Sequence, residues 1–127
     1  MTYPPYKIKG RLISGFLCSD LKKGTYPRTF AEELEKKGYI IDTDSSLALE
    51  SLDKFLNHLD KTFKARKKIL FEYLNDNWEL FMMNFMETDR LNHFMLGNWF
   101  ERDNYSSDFV NFYKKIDRMI WKIENQL

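Results

Sequence analysis

From Leu80 to Met86 the chain reads Leu80-Phe81-Met82-Met83-Asn84-Phe85-Met86, apolar throughout except for Asn84. Polar Asn75-Asp76-Asn77 stands before it and Glu87-Thr88-Asp89-Arg90 directly after. A continuous apolar run of this length, bounded by polar residues, predicts a strand buried on both faces, as in a parallel sheet covered by helices. Methionine is a weak strand former, so the length and the flanks carry that expectation more than propensity does.

Immediately beyond the run, Asp89 and His93 are four residues apart. In open α/β sheets, ligands collect just past the carboxyl ends of the strands. A carboxylate and an imidazole one helical turn apart can face the same cation. The spacing equally fits a helix whose N-cap is Asp89 and in which His93 is an ordinary, partly buried residue. Both readings stay open on the residues alone.

Composition narrows the class. A chain of 127 residues with 43% hydrophobic and 31% charged residues is ordinary globular material and fits one domain, residues 1–127. Its longest apolar run is far short of a bilayer span. The start, MTYPPYKIKG, lacks the apolar centre of a signal peptide. A net charge of +1 with both signs mixed gives no nucleic-acid or membrane-surface footprint. The single cysteine, Cys18, excludes an internal disulfide and points to a reducing, cytoplasmic compartment. Aromatic residues reach 17%, which is a large amount of ring surface for such a chain to cover.

Taken in order, Pro4 and Pro5 favour an extended start. Lys7–Cys18 reads as a strand interrupted by Gly10 and Gly15, which mark either a twisted edge or a backbone wall of a pocket. A helix follows, with Pro27 near its first turn, Thr29-x-x-Glu32 at capping-box spacing, and Gly38 as the terminating glycine. Glu32/Lys36 and Glu33/Lys37 are favourable pairs four apart on it. Tyr39-Ile40-Ile41 predicts a brief strand. Leu52, Leu56, Leu59, Phe63, Leu70 and Leu74, with one larger gap, predict a long helix over 47–75. Its lysines (Lys61, Lys64, Lys67 and Lys68) are a solvated face or a phosphate-binding one, and His58 is a surface residue. Phe94–Tyr105 is expected to be an aromatic loop, packing on the adjoining helix or covering a pocket. Ser106 or Ser107 then caps a final helix striped by Phe109, Tyr113, Ile116, Met119, Ile120 and Ile123.

These segments (YPPYKIKGRLISGF, TYPRTFAEELEKKGY and above all WELFMMNFMETDRLNHF) resemble the type I phosphodiesterase/nucleotide pyrophosphatase family of the alkaline phosphatase superfamily, in the family's order and over most of the chain. The strongest part is the apolar run ending in T-D-R-x-x-H-F. The resemblance implies an α/β fold: the middle portion of a parallel sheet flanked by helices, with about three strands and three to four helices. It also implies a metal-dependent hydrolase of phosphate mono- and diesters in which Asp89 and His93 bind one divalent ion, zinc or manganese, of a two-metal site.

The same resemblance implies what these residues do not supply. The family's first metal-binding Asp and its Thr or Ser nucleophile are expected upstream of residue 1, and its Asp-His pair and last His downstream of the final helix. No S-D-H-G-like run occurs among these residues, and His58 does not replace it. Two protein ligands are fewer than the three a catalytic zinc takes, and no catalytic residue is identified. The expectation is a chain inactive by itself, a truncated or split gene product, working with a complementary chain or self-associating. A non-enzymatic α/β interaction module with an aromatic-rich surface is the alternative.

Overall fold

Residues 3–126 are described in the computed structural model of the chain, and helix accounts for 61% of it against 3% strand. This overturns the expected parallel sheet of about three strands. The described residues hold one two-stranded antiparallel sheet, β1 (Leu12–Ile13) with β2 (Thr25–Tyr26), paired Leu12 with Tyr26 and Ile13 with Thr25. The glycines explain why the Lys7–Cys18 strand is so short. Gly10 and Gly15 adopt φ of 145° and 72°, left-handed values that end an extended run on either side of β1, and Gly15–Leu17 turns as a 3₁₀ helix.

Between the two strands lies α1 (Leu21–Gly24), opened by the Asp20 carboxylate, which accepts from the Lys22 N–H at 2.9 Å. After β2, α2 (Arg28–Lys36) starts behind Pro27, so the missing N–H of proline removes no helical hydrogen bond. The Thr29/Glu32 box does not form the cap; Pro27 takes that position without a side-chain bond. Gly38, at φ 73°, ends the helix as expected. Tyr39–Ile41 has no strand partner and runs as a connection.

The predicted 47–75 helix divides at Ser51, whose backbone is extended (φ −165°, ψ 130°), into α3 (Leu47–Glu50) and α4 (Leu52–Tyr73). The buried stripe of α4 runs through Phe55, Leu59, Phe63, Ile69, Leu70 and Tyr73, and the gap in the apolar pattern is filled by Arg66, itself buried. A buried guanidinium requires acceptors. Arg66 Nη1 donates to the Ile41 carbonyl at 3.2 Å and Nη2 to the Asn84 carbonyl. It thus fastens two connecting segments to one helix.

The apolar run is neither helix nor strand. Residues 79–85 form no ladder, and among the described residues Glu79 to Met83 have no backbone hydrogen bond. Its side chains nonetheless alternate: Phe81 and Met83 pack on the cluster of Phe30, Leu34, Tyr39, Ile69 and Tyr73, while Leu80 and Met82 are 77% and 83% exposed. That two-residue period belongs to extended chain. A strand buried on both faces needs a neighbouring strand on each edge, and β1 and β2 are occupied with each other.

The chain divides into two compact units, 1–84 and 85–127. The second is a helical hairpin of α5 (Glu87–Glu101) and α6 (Ser106–Glu124), which pack on each other. The aromatic loop expected over Phe94–Tyr105 is therefore mostly helix, and only Arg102–Tyr105 turn. Arg102 caps α5 in the left-handed conformation (φ 53°). Asn98 Nδ2 donates to Asp103 Oδ2 at 2.6 Å across that turn. Trp99 stacks on Phe109 at 5.9 Å, joining the two helices near the turn. No described helix is long and apolar enough to cross a membrane.

Candidate metal centre

Asp89 and His93 both lie on α5, in its first two turns. The segment is helical because Leu91 and Met95 are fully buried one turn apart. Glu87 and Asp89 add negative charge where the helix dipole is positive. One helical turn brings the two candidate side chains to one face: Asp89 Oδ1 stands 3.5 Å from His93 Nε2, with the side chains 46% and 67% exposed. The other carboxylate oxygen, Oδ2, faces Arg90 Nη1 at 3.7 Å. The N-cap reading of Asp89 fails, because Met86 holds that position.

The separation of the pair is informative. Zinc bonds of about 2.1 Å in a tetrahedron put neighbouring donor atoms roughly 3.4 Å apart. Asp89 Oδ1 and His93 Nε2 therefore already span one edge of such a sphere. They supply an edge and no more: among the described residues no group of three or more His, Cys, Asp or Glu side chains comes together. Asn92, between them in sequence, points its amide at the Thr88 carbonyl (2.7 Å) and at the Tyr113 hydroxyl of α6 (2.5 Å). Nothing in the spacing of the sequence pairs residue 92 with residue 113, and only the hairpin reveals it.

The remaining titratable groups have structural partners. His58 is half-buried rather than free on the surface, and its Nδ1 accepts from the Asp44 N–H at 3.2 Å. The Asp44 carboxyl is held below its usual range by the Ser46 hydroxyl and N–H, bonded at 2.6 and 3.0 Å. Cys18 is buried, its Sγ donating to the Asp20 carbonyl at 3.0 Å. Among the basic-face lysines, Lys64 pairs with Asp60 and Lys67 lies over the Phe63 ring.

The densest charged cluster joins α2 to α4. Lys37 Nζ meets Glu33 Oε1 at 2.6 Å, Glu72 Oε1 at 2.5 Å and the Tyr73 hydroxyl at 2.8 Å. Tyr73 in turn donates to Glu33 Oε1 at 2.5 Å. Bonds from Lys37, then Tyr73, hold the Glu33 carboxyl below its ordinary range, and its bond to Glu33 raises the Lys37 ammonium above its own. Burial, then the Glu33 bond, pushes the Tyr73 phenol up. Arg11 covers the Tyr73 ring at 4.7 Å and pairs with Asp76 at 3.0 Å. The sequence pairs Glu33 with Lys37 but gives no sign of the phenol between them.

No family model, curated protein or solved structure matches this chain.

Proposed function

We propose that this chain is the ligand-bearing middle of a divalent-metal-dependent hydrolase of phosphate mono- and diesters, similar to type I phosphodiesterase/nucleotide pyrophosphatase enzymes, and that it is inactive alone. The observation that supports this reading is the Asp89–His93 pair, whose facing donor atoms already have the separation of two ligands on one zinc or manganese ion. Such an ion, in a completed two-metal site, polarises the phosphoryl group and stabilises the attacking and leaving oxygens. This chain's contribution is to hold a carboxylate and an imidazole on one rigid helical turn. The remaining ligands and the nucleophile belong to a complementary chain, or to a second copy. The unbonded backbone of Glu79 to Met83 and the exposed Leu80 and Met82 fit a chain made to be covered. The lone, buried Cys18 suits a reducing, cytoplasmic setting.

Calorimetry with zinc chloride tests the reading. Binding is expected to be weak, and lost in Asp89→Ala and in His93→Ala, with no turnover of a chromogenic phosphodiester by the chain alone. No binding, or tight binding that survives both substitutions, defeats it.

A second reading is favoured by one specific observation. Trp99, Phe100, Tyr113, Ile120 and Trp121 of the hairpin all remain substantially exposed. A non-enzymatic helical module docking a partner on these rings accounts for them. Under that reading, Trp121→Ala and Phe100→Ala abolish association in sedimentation experiments while Asp89→Ala leaves it intact.

A further inference from the structure

We infer that Asn92 and Tyr113 form a positioning brace for the Asp89–His93 pair. The inference rests on the metal-binding reading just given and deepens it. Both candidate ligands are largely exposed, so no packing around the side chains themselves holds them. Their mutual geometry is inherited from the backbone of the first turns of α5, and helix ends fray. Three hydrogen bonds secure that end. The Thr88 hydroxyl donates to the Phe85 carbonyl at 3.2 Å, and the Arg90 N–H to the Met86 carbonyl at 2.9 Å. The third is the Asn92 amide, which donates back one turn to the Thr88 carbonyl at 2.7 Å. The Thr88–Asn92 link thus runs parallel to the Asp89–His93 pair, displaced by one residue.

What distinguishes Asn92 is its second contact, to the Tyr113 hydroxyl at 2.5 Å, which carries the restraint across to α6. Tyr113 is itself fixed: its ring lies 5.3 Å from that of Phe109, which stacks on Trp99 of α5. The hairpin therefore has two rungs, Trp99–Phe109 near the turn and Asn92–Tyr113 beside the ligand pair. An amide and a phenol are neutral, so the brace orders the site without placing a cation beside the incoming ion. Partners that orient metal ligands commonly change affinity by roughly 10-fold or more when removed.

The test uses the full chain and zinc chloride. Isothermal titration compares the wild type with Asn92→Ala, Tyr113→Phe, Asp89→Ala and His93→Ala, and far-UV circular dichroism records helicity for each. The expected result is about 10-fold weaker zinc binding in Asn92→Ala and Tyr113→Phe at unchanged helicity, with no further effect of Asn92→Ala on residual binding in the His93→Ala background. Unchanged affinity in the two brace variants, while Asp89→Ala and His93→Ala abolish binding, overturns the brace and leaves the metal reading standing. Weakening that follows a matching loss of helicity makes the contact merely structural and also overturns it. Zinc binding that is absent, or indifferent to Asp89 and His93, overturns both.

Discussion

Lys37 shows how a single side chain can set the pH limits of a fold. Its ammonium meets two carboxylates and a phenol, and each partner gains differently from the contact. The Glu33 carboxyl titrates below its ordinary range. Its contribution is thus present above the unfolded value of about 4.3 and is lost as pH falls through the lower folded value. Lys37 and Tyr73 titrate above their ordinary ranges. Their contributions are whole below about pH 10 and disappear as pH rises through the folded values. Glu33→Gln is expected to lower stability at pH 7 by at most about 1 kcal/mol, since the group is well exposed to solvent. Thermal melts from pH 7 downward should show variant and wild type converging in acid. A difference that stays constant to pH 3 would mean that the Glu33 charge stabilises nothing.

At the scale of elements, the glycines give predictions of opposite sign. A Cβ on Gly24 would lie 2.8 Å from Cys18 Cβ and 2.9 Å from its Sγ, so Gly24→Ala should cost about 1–3 kcal/mol by overpacking. Gly97, inside α5 with nothing within 4 Å, should behave in reverse. There Gly97→Ala is expected to stabilise by roughly 0.5–1 kcal/mol through helix propensity. Urea titrations of the two variants check the pair, and like signs would contradict the packing described for residues 18 and 24. The same residues explain which elements were legible in advance. Helices α2, α4 and α6 were readable because each carries one apolar stripe at helical spacing and an identifiable boundary. The helical part of 94–105 was hidden by Gly97-Asn98, a turn signal that in fact lies within a helix. The 80–86 run was misread because a continuous apolar stretch contains no period of its own, and pairing is decided by neighbours remote in sequence. In the candidate centre, four-residue spacing was sufficient to bring Asp89 to His93, whereas the Asn92–Tyr113 bond exists only once two helices fold back on each other.

For the molecule as a whole, the cover that is missing matters most. Leu80 and Met82 face solvent from a segment whose backbone groups have no partners, and exposed extended chain of this kind is a template for another chain. Wild-type protein is expected to self-associate at concentrations on the order of 100 μM, and Leu80→Lys with Met82→Lys to remain monomeric, since charges on an exposed extended segment oppose edge pairing. Sedimentation velocity decides; equal association of both forms would move the sticky surface elsewhere, with the hairpin aromatics next in line. The two units also carry their own optical labels. Trp78, its indole N–H on the Leu74 carbonyl at 2.7 Å, belongs to the first, and Trp99 and Trp121 to the second. Replacing Trp78 by Phe, or the hairpin pair by Phe, leaves emission from one unit at a time. Fluorescence during denaturation would then tell whether the halves melt together or in succession.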